Sequence, residues 1–263
     1  MPGHPERIVR LFLAPEQFDF AAGTARIAGQ DHVHVARVLR ARTGDALMLL
    51  DGSGAAYRAT LADVGPREST ARIDCGGETA PEPIPTVHVF QALCKADKFD
   101  QVIQHGTEAG ATSFTPVHAD RCVAELSQAR MPERLARWRA IAKGAAEQSG
   151  RAVVPSVLPL VAFGAALGTA RPDHRELRLL LHGGGDAKPL SEALTSAHPD
   201  VTAIFVFVGP EGGWSEREQS LAEELSCATV SLGPHVLRTE TAALVAVSQI
   251  RYEFARAAAL HPI

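Results

Sequence analysis

VTAIFVFVGPEGGWSEREQSLAEELSCATVSLG, residues 201–233, decides the fold class. Its opening run, VTAIFVFVG, is almost wholly apolar and rich in β-branched and aromatic side chains, as in a strand buried on both faces. A glycine-rich turn follows. SEREQSLAEELS (215–226) then reads as a helix, with Ser215 and Glu218 matching a capping box. ATVSLG (228–233) is a second strand, and a long helix is predicted from about 239 to 258. Apolar strand, turn, helix and apolar strand together make the unit of a parallel sheet covered on both faces.

The same alternation reaches back to residue 86. TVHVFQALC (86–94), TSFTPVH (112–118) and LRLLLH (177–182) are predicted strands. KFDQVIQHGTEAG (98–110), PERLARWRAIAKGAAEQS (132–149) and a segment near 188–197 are predicted helices, the second with Pro132 at its start. PEPIP (81–85) precedes them as a stiff, extended connector and marks the predicted domain boundary. The first 80 residues read as a small β-rich module. GDALMLLDGSGAAYRATLADV (44–64) holds two strands around the turn Asp51-Gly52-Ser53-Gly54, ARIDCGG (71–77) is another strand, and a short helix is expected around 31–38. Two domains, 1–80 and 86–263, are the expectation.

Composition narrows the function classes. Of 263 residues, 46% are hydrophobic and 21% charged, which fits a folded globular chain. No apolar run reaches the length of a membrane span, and the N-terminal residues carry neither a sustained apolar stretch nor a small-residue cleavage site. A cytoplasmic protein without a membrane partner is expected. Cys75, Cys94, Cys122 and Cys227 form no CxxC pair, the eleven His form no HExxH, and no metal site is expected. A net charge of −4 excludes a protein that coats nucleic acid generically. Local charge differs: HVHVARVLRAR (32–42) carries Arg37, Arg40 and Arg42 and no acid. Such a cluster suits phosphate contacts and is equally compatible with a solvated helix face.

In parallel sheets, ligands bind outside the carboxyl ends of the strands. Three predicted strand exits are unusual: His182-Gly183-Gly184-Gly185-Asp186, Gly209-Pro210-Glu211-Gly212-Gly213, and LGPHVLRTETAALVA (232–246). Glycines there let backbone groups approach a ligand closely. There is no GxGxxG opening a helix, no GxxxxGK[ST] and no GxSxG, which argues against dinucleotide-binding, P-loop and common hydrolase folds.

At these residues the chain resembles a known family. VGPEGGWSEREQ (208–219) followed by LGPHVLRTETAALVA (232–246) is similar to the RsmE family of SPOUT methyltransferases. LCKADKFDQVIQHGTEAGATSFTPVHADRC (93–122), EQSGRAVVP (147–155) and RVLRARTGDALMLLDGSG (37–54) extend the resemblance over essentially the whole chain. Departures are His105-Gly106-Thr107-Glu108-Ala109-Gly110 where the family usually has Lys-Ala-Thr-Glu-Leu-Gly, glycines after LLLH where a Glu is frequent, and Trp214 in place of Phe.

The resemblance implies an α/β-knot (SPOUT) domain with a parallel sheet, preceded by a small PUA-like β-barrel. It implies methylation of N3 of a uridine in 16S ribosomal RNA, with S-adenosylmethionine as cofactor. It also implies a homodimer and the small ribosomal subunit as partner. By the same analogy the cofactor meets Leu181, His182 and Gly183; Gly209, Pro210, Glu211, Gly212 and Gly213; and Leu232, Gly233, Val236, Leu237, Arg238, Thr239, Thr241 and Ala242. Glu240 and Arg238 are the expected catalytic pair, because uracil N3–H must lose its proton and the developing charge must be stabilised. Alternatives stay open: Glu240 as favourable charge at a helix start, Arg238 as an ion pair fixing the loop, Glu211 as a brace, Thr239 and Thr241 as caps. Arg37, Arg40, Arg42 and Arg151 are the expected RNA contacts. Methylation of another RNA position, such as a ribose hydroxyl, and a non-catalytic ribosome-assembly factor are the competing functions.

Overall fold

The computed structural model describes residues 8–79, 82–95, 97–122, 130–169, 175–184, 187–197 and 200–260. By internal packing the chain forms two units: Met1–Glu82 with Ala146–Val154, and Pro83–Ala145 with Pro155–Ile263.

The first unit is built on β1 (Val9–Phe12), β2 (Phe18–Asp19), β3 (Thr24–Ala28), β4 (Ala46–Leu50), β5 (Ala55–Val64) and β6 (Glu68–Thr79). They form one sheet in the order β1-β4-β5-β6-β3-β2, antiparallel except for the β1–β4 pair. The expected turn closes the β4–β5 hairpin, where the backbone N–H and hydroxyl of Ser53 both donate to Asp51 Oδ1 at 2.9 and 2.7 Å. Gly52 and Gly54 have φ of 80° and 105°, a region that side-chain-bearing residues rarely enter. Alternation does the rest: Leu47, Leu49, Ala59, Leu61, Ala71, Ile27 and Leu11 face one core. Three register shifts along β5 and β6 bend the sheet over that core. The short helix expected around 31–38 is α1 (Gly29–Val33), continued by a wider π-type turn over His34–Val38. It is pinned by buried Val35 and by His32, whose Nδ1 lies 2.9 Å from Ser69 Oγ.

The second unit contains β7 (Thr86–Ala92), α2 (Lys98–Glu108), β8 (Ser113–His118), α3 (Met131–Ser149), β9 (Ser156–Val157), β10 (Val161–Ala162) and α4 (Phe163–Thr169). It continues with β11 (Glu176–Leu181), β12 (Lys188–Pro189), α5 (Leu190–Thr195), β13 (Ala203–Val208), α6 (Glu216–Glu224), β14 (Ala228–Ser231) and α7 (Thr239–Leu260). The last turn of α3, from Ala146, counts with the first unit. All pairings of this sheet are parallel, in the order β10-β8-β7-β13-β11-β14-β12, with β9 beside β8.

The apolar strands sit centrally. Val206, Phe207 and Val208 of β13 are buried between β7 and β11. Phe90 and Phe207 stack at 4.8 Å, and Phe163 packs on Trp214 at 4.6 Å. The capping box of α6 is formed as expected: Glu218 N–H donates to Ser215 Oγ, and Ser215 N–H to Glu218 Oε2. Elements β9, β10 and α4 had no periodic signal. The strands are two residues long, and α4 includes Gly164 and Gly168.

Candidate active site

β7, β13, β11 and β14 are consecutive neighbours in a parallel sheet, so their carboxyl ends open on one edge. The chain leaves these strands through residues 93–95, 209–214, 182–184 and 232–238. Between those exits lies a cavity of about 520 Å³, a size suited to a cofactor. Leu181, Val208, Trp214, Leu232 and Leu237 make much of its wall apolar, and Lys98, Glu211 and Arg238 bring charge to it.

Side chains tie the exits together. Trp214 Nε1 donates to Leu181 O at 3.1 Å, joining the β13 and β11 exits. A Cβ at Gly209 would lie 3.2 Å from that same Nε1, so a side chain there would crowd the indole. Thr239, the buried first residue of α7, donates its hydroxyl to Gly209 O at 2.6 Å and accepts from Gln91 Nε2 at 2.8 Å. The hydroxyl therefore links β7, the β13 exit and α7. Gly213 and Gly233 have φ of 69° and 135°, which keeps both turns tight.

The ionic part comes from three elements. Lys98, at the start of α2, donates to Glu211 Oε1 at 2.9 Å, and its Nζ is 3.6 Å from Glu240 Oε2. Lys95 N–H also points at Glu211 Oε1, at 3.4 Å. Burial raises the Glu211 carboxyl, but the Lys98 hydrogen bond and the backbone N–H groups outweigh it and hold the group below the usual carboxylate range. The Glu211 hydrogen bond in turn raises Lys98 against its own desolvation, so it stays an ammonium. Cys94, behind them, is pushed up to about 12 by burial, which leaves an unreactive thiol.

The expected cofactor residues line this cavity, all but two: Gly212 and Thr241 do not. Gly212 instead packs against Arg121, whose Nη1 donates to Gly212 O at 3.2 Å. Gly185 and Asp186, part of the first glycine-rich exit, lie outside the described residues. Arg238 lines the cavity, is exposed, and makes no ion pair among the described residues. Glu240 does not line it. The carboxylate stands against Lys98, with Oε2 buried and without a hydrogen-bond partner. Sequence reasoning passed over Lys98, Gly184, Val208, Trp214 and His235, which also line the cavity. All lie inside stretches already quoted but were not assigned to the cofactor, and Lys98 follows KAD (95–97) at the head of its helix.

The expected RNA contacts belong to the first unit. Arg37, Arg40 and Arg42 are exposed there, at and just beyond the π-type turn. Arg151 is largely buried and forms an ion pair with Glu82. No group of three or more His, Cys, Asp or Glu among the described residues is placed to hold a metal ion. None of the helices among them is long and apolar enough to cross a membrane.

Known proteins match this architecture. An RNA methyltransferase domain family matches residues 80–251, and an RNA methyltransferase PUA domain family matches residues 29–74. A Bacillus subtilis protein named ribosomal RNA small subunit methyltransferase E is 34% identical over 88% of this chain and 91% of its own length. The Synechocystis protein of the same name is 37% identical, over 92% of this chain and 76% of its own. A Neisseria gonorrhoeae ribosomal RNA small subunit methyltransferase E, solved bound to S-adenosyl methionine, is 32% identical with a TM-score of 0.83. That match covers 94% of this chain and 98% of the solved one.

Proposed function

The chain belongs to the RNA methyltransferase family, and from that premise we propose that it methylates N3 of a specific uridine in 16S ribosomal RNA with S-adenosylmethionine. The observation that carries this reading is the cavity at the shared strand edge, walled by backbone from three glycine-bearing exits. Its residues fit the cofactor. The glycine backbones of the exits leave room that side chains would fill, and the apolar wall of Leu181, Leu232 and Leu237 suits an adenine ring. When bound, S-adenosylmethionine supplies a methyl group made electrophilic by its sulfonium.

The residues of this chain then have to prepare the acceptor. Uracil N3–H is a weakly acidic imide and a poor nucleophile until its proton leaves. Glu240 is the proposed base, and Arg238, exposed at the cavity wall, is the proposed cation that holds the RNA or steadies developing charge. Arg37, Arg40 and Arg42 are proposed to hold phosphates. Arg151, already paired with Glu82, is proposed to reach RNA only by exchanging that partner. The proposed assembly is a homodimer acting on the small ribosomal subunit in the cytoplasm. An apolar groove of about 490 Å³ around Leu190, Leu194 and the exposed Tyr252 gives a second copy a surface to cover.

The test is mass mapping of 16S RNA from a strain lacking this protein, before and after complementation. One missing uridine N3-methyl group, restored by wild type and not by Glu240→Gln, is the expected result. Full restoration by Glu240→Gln removes Glu240 as base. An unchanged methylation map removes the proposed substrate. Absence of S-adenosylmethionine binding in calorimetry at millimolar ligand favours a non-catalytic ribosome-assembly factor.

A further inference from the structure

Two carboxylates share one ammonium at the cavity wall, and only one of them is held closely. Lys98 lies 2.9 Å from Glu211 and 3.6 Å from Glu240. The second distance is too long for a hydrogen bond. Lys98 lines the cavity and Glu240 stands next to it outside that lining, so the ammonium adjoins both the proposed base and the space where a base ring would enter. An ammonium has three donors, and Glu211 takes one of them directly.

We infer that Lys98 is a catalytic residue that exchanges Glu240 for a carbonyl oxygen of the uracil as the N3 proton leaves. This rests on the uridine-N3 reading above. The balance is as follows. The N3–H bond breaks and its proton goes to the Glu240 carboxylate, whose Oε2 faces Lys98 without a hydrogen-bond partner. The electron pair left on N3 forms the new N–CH₃ bond. The methyl–sulfur bond breaks, and its pair stays on sulfur, which becomes a neutral thioether. Negative charge spreads from N3 onto the adjacent carbonyl oxygens during this step. Once Glu240 is protonated it no longer competes for Lys98. The ammonium charge then serves the oxygen, while Glu211 keeps Nζ in place.

Charged and titratable groups face Lys98 from each neighbouring exit. They are Cys94 beyond β7, Glu211 beyond β13 and Glu240 in the first turn of α7, while Arg238 lines the same cavity. Cys94 is neutral and Arg238 is permanently cationic, so the two carboxylates control the exchange.

The test compares wild type, Lys98→Met and Lys98→Arg on small subunits carrying either uridine or 5-fluorouridine. Fluorine makes N3–H more acidic and lessens the need for a stabilising cation. Loss of one such donor is expected to lower kcat on uridine by about 100-fold, with S-adenosylmethionine affinity by calorimetry within about threefold of wild type. Lys98→Arg is expected to recover part of kcat. The gap between wild type and Lys98→Met is expected to shrink several-fold on fluorinated RNA. A gap equal on both RNAs overturns the inference in favour of a structural role. Loss of cofactor affinity of about tenfold or more in Lys98→Met overturns it in favour of a cofactor contact. If wild type itself leaves no N3-methyluridine in either RNA, the underlying reading fails instead, independently of any Lys98 variant.

Discussion

The two units carry their candidate functions in opposite ways. In the first, Arg37, Arg40 and Arg42 are exposed at and just beyond a short helical segment in a unit built on a mostly antiparallel sheet. The second has its site at the carboxyl edge of a parallel sheet, in backbone held by buried cross-ties: Trp214 to Leu181, Thr239 to Gly209. Exposed cations act additively and through a screened field. Buried ties act together, because losing one releases a strand exit that others depend on. The first arrangement should tolerate substitution in stability and lose only affinity. The second should lose stability and ligand binding at once.

The largest expected effect tests the second half of that contrast. Trp214→Ala removes a fully buried ring packed on Phe163 and frees the Leu181 carbonyl, at a cost of about 3–5 kcal/mol. Denaturant unfolding should register that loss, and calorimetry should find S-adenosylmethionine binding weakened with it. Stability lost with cofactor affinity intact would break the proposed link between ties and site.

An intermediate effect tests the first half. The triple variant of Arg37, Arg40 and Arg42 to Ala should bind 16S RNA more weakly, with log affinity falling less steeply against log salt. Each lost phosphate contact accounts for about 0.7–0.9 of that slope. Unfolding midpoints should stay near wild type, since surface changes typically remain within about 0.5 kcal/mol. An unchanged salt slope would move the RNA contacts elsewhere.

The smallest effect sharpens the contrast by pH. Glu211 is held below its ordinary value of 4.5, so its bridge stabilises the fold above that pH and the contribution fades as pH falls through the lowered value. Lys98, held above its ordinary 10.5, contributes below that pH and loses its contribution as pH rises through the raised one. The difference in melting temperature between wild type and Glu211→Gln should therefore be flat across neutral pH and shrink below about pH 4.5. A difference that persists undiminished into acid would mean that the Glu211 charge is not what braces the loop.

Much of this was legible before any coordinates. The βαβ alternation from residue 86 onward and the hairpin at 51–54 follow from local periodicity and turn chemistry, and both formed. The capping box at Ser215 needs only four consecutive residues, and it too formed. Other features were beyond that reach. Residues 146–154 group with the N-terminal unit because Phe12 N–H donates to Glu147 Oε1 and Ala146 packs with Phe12 and Leu50. No periodicity within a helix announces a partner so far upstream.

The sequence by itself determined a parallel sheet, its glycine-bearing exits and the residue types gathered there, because side-chain alternation and turn preferences act over a few residues. Only the tertiary structure decided which of those residues meet. Strand order sets β13 between β7 and β11, and this brings Lys98 to Glu211 across 113 positions of chain. It also turns Gly213 into the cavity and Gly212 onto Arg121, although the two are neighbours in the same motif. Crossover connections leave strand order unmarked in local patterning. The placement of Glu240 beside Lys98 is therefore a property of the folded sheet edge rather than of the motif that contains it.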